Sequence, residues 1–255
     1  MWDVLMDKLQ KMDKPSIQKI PVTEAILKRI RDSLDLTRFK DLALWSGLQS
    51  AFAWHLRVSE WAFDGIHAAS WACLLFLDAD LNIIDLHDWS QLVDVALVEW
   101  YFPTDKTHKL GEGVSRFFYA NNSIDTDSCV IMNLAKLWLL GPRNPNHKVF
   151  SWDNNSAGVT RKAVNNVLKI AAAAEGIPQA LVSSHSLRRG GLSNAVANSV
   201  PFHVARAHGR WKSDCAMKYL WPDVDAAREY AKAMWNTAKP PRFRSARGNV
   251  GIQLQ

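Results

Sequence analysis

Four side chains near the C-terminus suit chemistry on a phosphodiester. His185 and Arg188 stand three apart in Ser184-His185-Ser186-Leu187-Arg188-Arg189-Gly190-Gly191, a spacing that puts both on one face of a helix. Trp211 follows within Gly209-Arg210-Trp211-Lys212-Ser213, and Tyr219 comes eight residues later. The set offers a proton acceptor, a guanidinium fork, an indole N–H and a phenol. A tyrosine hydroxyl, with a pKa of about 10, is a poor nucleophile at neutral pH unless cations and a proton acceptor stand beside it. A phosphodiester under attack builds charge on its non-bridging oxygens, which arginine forks match in charge and shape. The departing 5′ oxygen needs a general acid. A full site therefore requires two arginines, a lysine or similar acid, a base and the tyrosine. The C-terminal cluster supplies one arginine, the base and the tyrosine, so the other two must come from upstream.

The elements that would position these residues can be read in outline. A helix begins after Pro21 with Thr23 as N-cap and turns Ile26, Leu27, Ile30 and Leu34 inward. A second starts near Asp41, carries Leu44, Trp45, Leu48 and Phe52 as a stripe, and ends near His55-Leu56-Arg57. Val58–Phe63 starts a short third helix. Cys73–Leu77, Val95–Phe102 and Val114–Tyr119 are β-prone runs, and the Pro/Gly-marked segment 103–113 reads as a hairpin loop. Beyond them come a helix over Asp127–Leu140, a polar loop over 143–157, and an alanine-rich helix over Val159–Glu175. Ser184 caps the His185 helix, Pro201 opens the next, Ser213 caps one carrying Tyr219, and a last helix reaches Trp235. The expected fold class is α+β: mainly α with a small antiparallel sheet.

Composition narrows the field. The chain has 255 residues, a formal charge of +6, 48% hydrophobic and 22% charged residues. That is ordinary globular content, which argues against wholesale disorder; the charge favours an anionic partner only modestly. Cys73, Cys129 and Cys215 are odd in number and form no C-x-x-C, so neither a disulfide framework nor a zinc site is indicated, and a reduced, intracellular compartment is the plain reading. Met1–Lys14 has no apolar core of a signal peptide. Trp71–Leu77 is too short to span a bilayer and reads as a buried strand. His55, His67, His87, His108, His147 and His203 show no ligand spacing and read as ordinary surface or core histidines. The Lys28-Arg29-Arg31 and Arg242–Arg247 groups offer phosphate contacts or solvated faces.

Three segments in order resemble the tyrosine recombinase (phage integrase) family over roughly residues 18–235. Trp54-His55-Leu56-Arg57-Val58-Ser59-Glu60 is similar to that family's first-arginine segment, Thr104-Asp105-Lys106-Thr107 to its hairpin lysine segment, and His185-Ser186-Leu187-Arg188 to its His-x-x-Arg box. The Gly-Arg-Trp-Lys-Ser wording is nearest to the retroelement and mobile-element branch. The resemblance implies that Tyr219 attacks the scissile phosphate and forms a 3′-phosphotyrosyl bond. Arg57 and Arg188 would grip the non-bridging oxygens, Lys106 protonate the 5′ oxygen, and His185 take the tyrosine proton or position the phosphate. Trp211 would give its indole N–H to a phosphate oxygen, and Glu60 would brace its neighbours. The family places that acceptor-side residue nine before the tyrosine; Arg210 is nine before, Trp211 eight, and His208 is a third candidate. Neither cofactor nor metal is implied, since the phosphotyrosyl link conserves the bond energy.

The implied partner is double-stranded DNA, bound by a homotetramer on paired sites, with no membrane. The resemblance divides the chain into a linker or remnant over 1–17, a catalytic domain over 18–237 and a basic, flexible tail over 238–255. The family usually adds an N-terminal helical domain that completes a clamp on the duplex. Here the chain is a fragment, binds DNA weakly, or takes the other half from a partner. Two other functions fit fewer residues: a type IB topoisomerase-like relaxing enzyme, and a non-catalytic DNA-binding remnant of a mobile element.

Overall fold

Thr23 ends an extended stretch and starts the first helix, α1 (Glu24–Asp32). In the computed structural model, which describes residues 19–103, 113–121, 127–211 and 216–217, its hydroxyl accepts from the Ile26 N–H at 3.4 Å. Ile26 and Ile30 are buried. The basic group on this helix is spoken for by carboxylates: Lys28 pairs with Asp32 at 2.7 Å, Arg29 with Glu175, and Arg31 with Asp127. Arg29 and Arg31 reach residues beside later helices, whereas the Lys28–Asp32 pair lies on the exposed face of α1 itself.

Helix α2 (Phe39–Ala53) is the centre of the fold. The sequence suggests a one-sided apolar stripe, but Ser46, Gly47, Gln49 and Ser50 are buried as well. The reason is that α4 (Val130–Leu140) and α6 (Ser184–Ala197) both pack on it. Buried Gln49 and Asn133 then need partners. Asn133 Nδ2 donates to Gln49 Oε1 at 2.8 Å and to the Asp127 carbonyl at 2.7 Å, which also accepts from Trp45 Nε1 at 2.9 Å. Asp127 is therefore a hub before the helix, and not its first residue.

A three-stranded antiparallel sheet, β1 (Leu74–Leu77), β2 (Leu97–Phe102) and β3 (Val114–Tyr119), covers the end of α2. The register runs from Leu97 opposite Tyr119 to Phe102 opposite Val114. Alternation sends Val98, Trp100 and Phe102 inward and leaves Tyr101, Phe117 and Tyr119 exposed. Trp100 meets Trp54 edge-on at 5.3 Å. Trp71–Cys73, read as strand, forms a 3₁₀ turn before β1. The polar segment 143–157 is not all loop. Val149 and Phe150 are buried, and β4 (Ser151–Trp152) pairs with β5 (Ala157–Gly158).

The remaining helices carry the candidate site. Thr160 caps α5 (Arg161–Ala174). Ser183, one residue earlier than expected, is the N-cap of α6, and its N–H donates to Ser186 Oγ at 3.1 Å. Ser184 is the first helical residue, and its N–H donates to Asn165 Oδ1 of α5 at 2.7 Å. Pro201 precedes α7 (Phe202–His208). The tail, the hairpin tip with Lys106, and Tyr219 lie outside the described residues. Among the described residues no helix is long and apolar enough to cross a membrane.

Gly191 explains how α6 comes so near α2, and Gly190 how it comes so near the extended stretch before α1. A Cβ on Gly190 would lie 2.3 Å from the Val22 carbonyl oxygen, and one on Gly191 2.0 Å from that of Phe52. Both obstacles are backbone, which cannot swing aside. Helix propensity alone favours alanine over glycine by about 0.5–1 kcal/mol, whereas forcing an atom into a packed contact costs about 1–3 kcal/mol. Gly191→Ala should therefore lower stability by about 1–2 kcal/mol, read as a reduced denaturation midpoint; a raised midpoint would show that the two helices are not locked together here.

Candidate active site

The first piece of the site is the end of α2. Its C-terminus closes with the Leu56 N–H bonded back to the Ala51 carbonyl at 3.0 Å and His55 in the left-handed region at φ +51°, a helix ending that usually employs glycine. The chain then enters α3 (Val58–Trp61), whose N-cap is Arg57. Glu60, in the third helical position, turns back to accept from the Arg57 backbone N–H at 2.7 Å and its Nη1 at 2.8 Å.

Glu60 has a second cation. Arg210 Nη2 donates to Oε2, the oxygen that also takes the Arg57 backbone N–H, at 2.7 Å across 150 positions of sequence. The Arg210 side chain is 1% exposed, and its guanidinium carbon lies 3.9 Å from the centre of the Phe102 ring. Burial pushes the Glu60 carboxyl up, but the Arg210 charge and hydrogen bond, then Arg57, outweigh it and hold the pKa below the ordinary value. The ion pair with Glu60 thus occupies part of Arg57, which keeps 28% of its side chain exposed.

Arg188 is held differently. It is 2% exposed, its Nη1 donates to the His55 carbonyl and its Nη2 to the Gly209 carbonyl at 2.8 Å. Its guanidinium carbon stands 4.0 Å over the Trp211 ring, a cation–π contact worth about 2 kcal/mol when desolvated. Trp211 itself is seated in a small second core with Leu192 and Ala205. Arg210 adopts φ +61°, and that reversal sends its side chain to Glu60 while the flanking Gly209 carbonyl and Trp211 ring meet Arg188. Arg116 of β3 secures the same turn by donating to the Ala207 carbonyl at 2.9 Å.

Three histidines surround this cluster. His185 is exposed on the first turn of α6. Partial desolvation of its ring, followed by the charges of Arg188, Arg189 and Arg57, lowers its pKa. His208 Nε2 lies 3.0 Å from the Ala53 carbonyl; a carbonyl only accepts, so this nitrogen carries the proton in the neutral ring. Burial, then Arg116 and Arg210, lower its pKa against the pull of that carbonyl. His55, read in sequence as an ordinary histidine, is 3% exposed and touches both His208 and Trp211. Burial, His208 and Arg188 push its pKa down to about 3.

The structure thus brings together Arg57, Glu60, His185, Arg188, His208, Arg210 and Trp211. Tyr219 and Lys106 lie outside the described residues. His55, Phe102, Arg116 and Asn165 were not singled out in the sequence as part of the site, because each acts through a tertiary contact that no local pattern announces. Among the described residues no group of three or more His, Cys, Asp or Glu could hold a metal ion.

No protein-family model matches the sequence, and no curated protein matches it. Solved structures do. The XerH site-specific recombinase bound to a palindromic difH substrate, in a post-cleavage complex, aligns with 85% of this chain and 53% of its own at a TM-score of 0.53 and 11% identity. XerA recombinase aligns with 87% of this chain and 66% of its own at 0.51 and 14%. The Tn1549 transposon integrase with transposon right-end DNA aligns with 88% and 68% at 0.51 and 11%. The chain spans about half the length of the XerH chain. Its fold is that of a tyrosine recombinase catalytic domain.

Acid should loosen this site first. A buried His55 with a folded pKa of about 3, against 6.5 for the free side chain, binds no proton where the unfolded chain does. Its contribution to stability is complete above about pH 6.5 and is lost as pH falls toward 3. Glu60, depressed relative to its free value, adds a further loss below the ordinary carboxylate range. Glu60→Gln should cost about 3 kcal/mol at neutral pH, since it takes the carboxylate from the buried Arg210, and should flatten the most acidic part of the stability curve. An unchanged midpoint in thermal unfolding of that variant would refute the shared-carboxylate reading.

Proposed function

We propose that this chain is the catalytic part of a DNA strand-exchange enzyme that cuts and rejoins duplex DNA through a 3′-phosphotyrosyl intermediate. The observation that carries the reading is the convergence of Arg57, His185, Arg188 and Trp211, from segments up to 154 positions apart, within a fold shared with site-specific recombinases and a transposon integrase. The Tyr219 phenol attacks the scissile phosphorus and forms the P–O bond to tyrosine as the P–O5′ bond breaks. Neutral His185 takes the phenolic proton, or orients the phosphate. Lys106 gives a proton to the leaving 5′ oxygen. Arg57 and Arg188 meet the charge on the non-bridging oxygens, and Trp211 supplies an indole N–H. A 5′-hydroxyl from another strand reverses the step, so the bond energy is conserved and neither ATP nor a metal enters the balance.

The depressed pKa of His185 supports the base role, because a neutral imidazole can accept a proton at pH 7. The catalytic domain is read as 18–237, acting in a homotetramer on two duplexes and forming a junction between them. Relaxation of a single supercoiled duplex, with no junction, would instead favour the topoisomerase-like alternative.

The test is a pool of nicked duplexes, randomised around the nick so that cleavage traps the protein. The wild-type chain should form a covalent adduct whose DNA is attached by its 3′ end. Tyr219→Phe should form none, and Arg57→Ala should reduce its rate by about 10²-fold or more. Binding should weaken steeply with salt, because phosphate contacts dominate it. Binding without any adduct would leave only the DNA-binding remnant; an adduct that survives Tyr219→Phe would move the nucleophile elsewhere.

A further inference from the structure

His55 occupies a position where the backbone asks for glycine. It follows Trp54, the C-cap of α2, in the left-handed region at φ +51°, with the Leu56 N–H closing back to the Ala51 carbonyl. Glycine takes this conformation without steric cost, and a side chain with a Cβ does not. The surroundings hold a histidine there all the same. Its carbonyl accepts from Arg188 Nη1. Its ring lies 5.6 Å from that of Trp211, at 45°, and 5.5 Å from that of His208, nearly perpendicular. A Cβ on Gly191 would stand 2.6 Å from its Cδ2, so the ring also fills the gap left by that glycine. One residue therefore touches the end of α2, the His-x-x-Arg helix, α7 and the segment carrying Trp211.

We propose that His55 is a positioning residue for the strand-cutting site, its backbone carbonyl and its ring together fixing the guanidinium of Arg188 against the face of Trp211. The carbonyl holds one nitrogen of the fork, and the ring holds the indole on which the fork rests. Loss of the ring frees Trp211 to tilt, and Arg188 tilts with it. The ring must be uncharged to do this. Arg188 from α6, His208 from α7, and Arg210 beside Trp211 face it, and each would repel an imidazolium; its pKa of about 3 keeps it neutral at working pH. Among the described residues its buried Nδ1 has no hydrogen-bond partner, so the ring's contribution here is its contacts.

This inference deepens the strand-exchange reading and rests on it, but one arm of its test does not. The variants are His55→Gly, which relieves the backbone while removing the ring, and His55→Asn, which tolerates the same φ with a smaller side chain and guards against a glycine variant that fails to fold. The first readout needs no DNA. In ¹⁵N-labelled protein, a fork pinned by two carbonyls and an aromatic face should give slowly exchanging, resolved guanidinium signals for Arg188, assigned from their loss in Arg188→Lys. Both His55 variants should broaden or merge them. The second readout is adduct formation on the randomised nicked duplexes. The rate at saturating DNA should fall at least tenfold in both variants, with the half-saturating DNA concentration changed less than twofold. Signals and rate unchanged in a folded variant would overturn the proposal, as would a loss of DNA affinity at an unchanged saturated rate. If the wild-type chain forms no adduct, the strand-cutting reading fails, and the guanidinium signals alone decide whether His55 positions Arg188.

Discussion

A single carboxylate organises the centre of this molecule. Glu60 is buried, and a buried carboxylate is costly by several kcal/mol unless cations and hydrogen bonds offset the lost water. Here the offset comes from opposite ends of the chain: Arg57 three residues before it, and Arg210 far beyond it. The local partner fixes the entry into α3. The distant partner fixes the turn that follows α7. Because each oxygen of Glu60 meets a different guanidinium, and Oε2 also takes the Arg57 backbone N–H, neither segment can shift without uncovering charge in a region of low dielectric. The arrangement therefore acts as a registry device between two parts of the site that no secondary structure connects.

The second constraint is a pair of left-handed residues within the site, His55 and Arg210, among several in the chain. Each such conformation costs about 1–3 kcal/mol for a side chain bearing a Cβ, and persists only where the surroundings over-determine it. Both sit where the backbone must present a carbonyl to Arg188, the first through its own oxygen and the second through that of the preceding glycine. With the Trp211 ring beneath it, the Arg188 fork is fixed in plane and in rotation before any ligand arrives. An arginine ordered in advance loses less freedom on meeting a phosphate than one free in solvent. The strain at the two turns is thus tied to the position of one guanidinium.

The sequence carried the helices and the sheet because their signals are local. Thr23 before an apolar-periodic run, β-branched and aromatic alternation over Val95–Phe102, and the stop at Gly141-Pro142 each reflect forces within a few residues. The His185/Arg188 face and the Arg57/Glu60 pair were legible for the same reason. What was hidden depends on distance in sequence. Ser183 and Ser184 are equally good caps, and the choice falls to Ser183 because Ser184 is held by Asn165 of another helix. Asp127 looked like a helix start, yet its carboxylate and carbonyl serve Arg31, Lys136, Trp45 and Asn133. His55 resembled any core histidine, since nothing local says that a helix ending there would use a side chain in the place of glycine.

The chemistry follows from the charge balance. Among the described residues, Arg57, Arg188, Arg189 and Arg210 share a small volume with one carboxylate, Glu60, so positive charge predominates among them. That field lowers the proton affinity of every nearby base, and the depressed pKa values of His55, His185 and His208 share this cause alongside burial. The same field would favour a phenolate over a phenol and a dianionic phosphorane over a neutral one. A site of this kind keeps its imidazoles neutral while its guanidiniums stay charged, and on the proposed strand-exchange reading that would divide the work: fixed cations for the charge that develops, a neutral base for the proton.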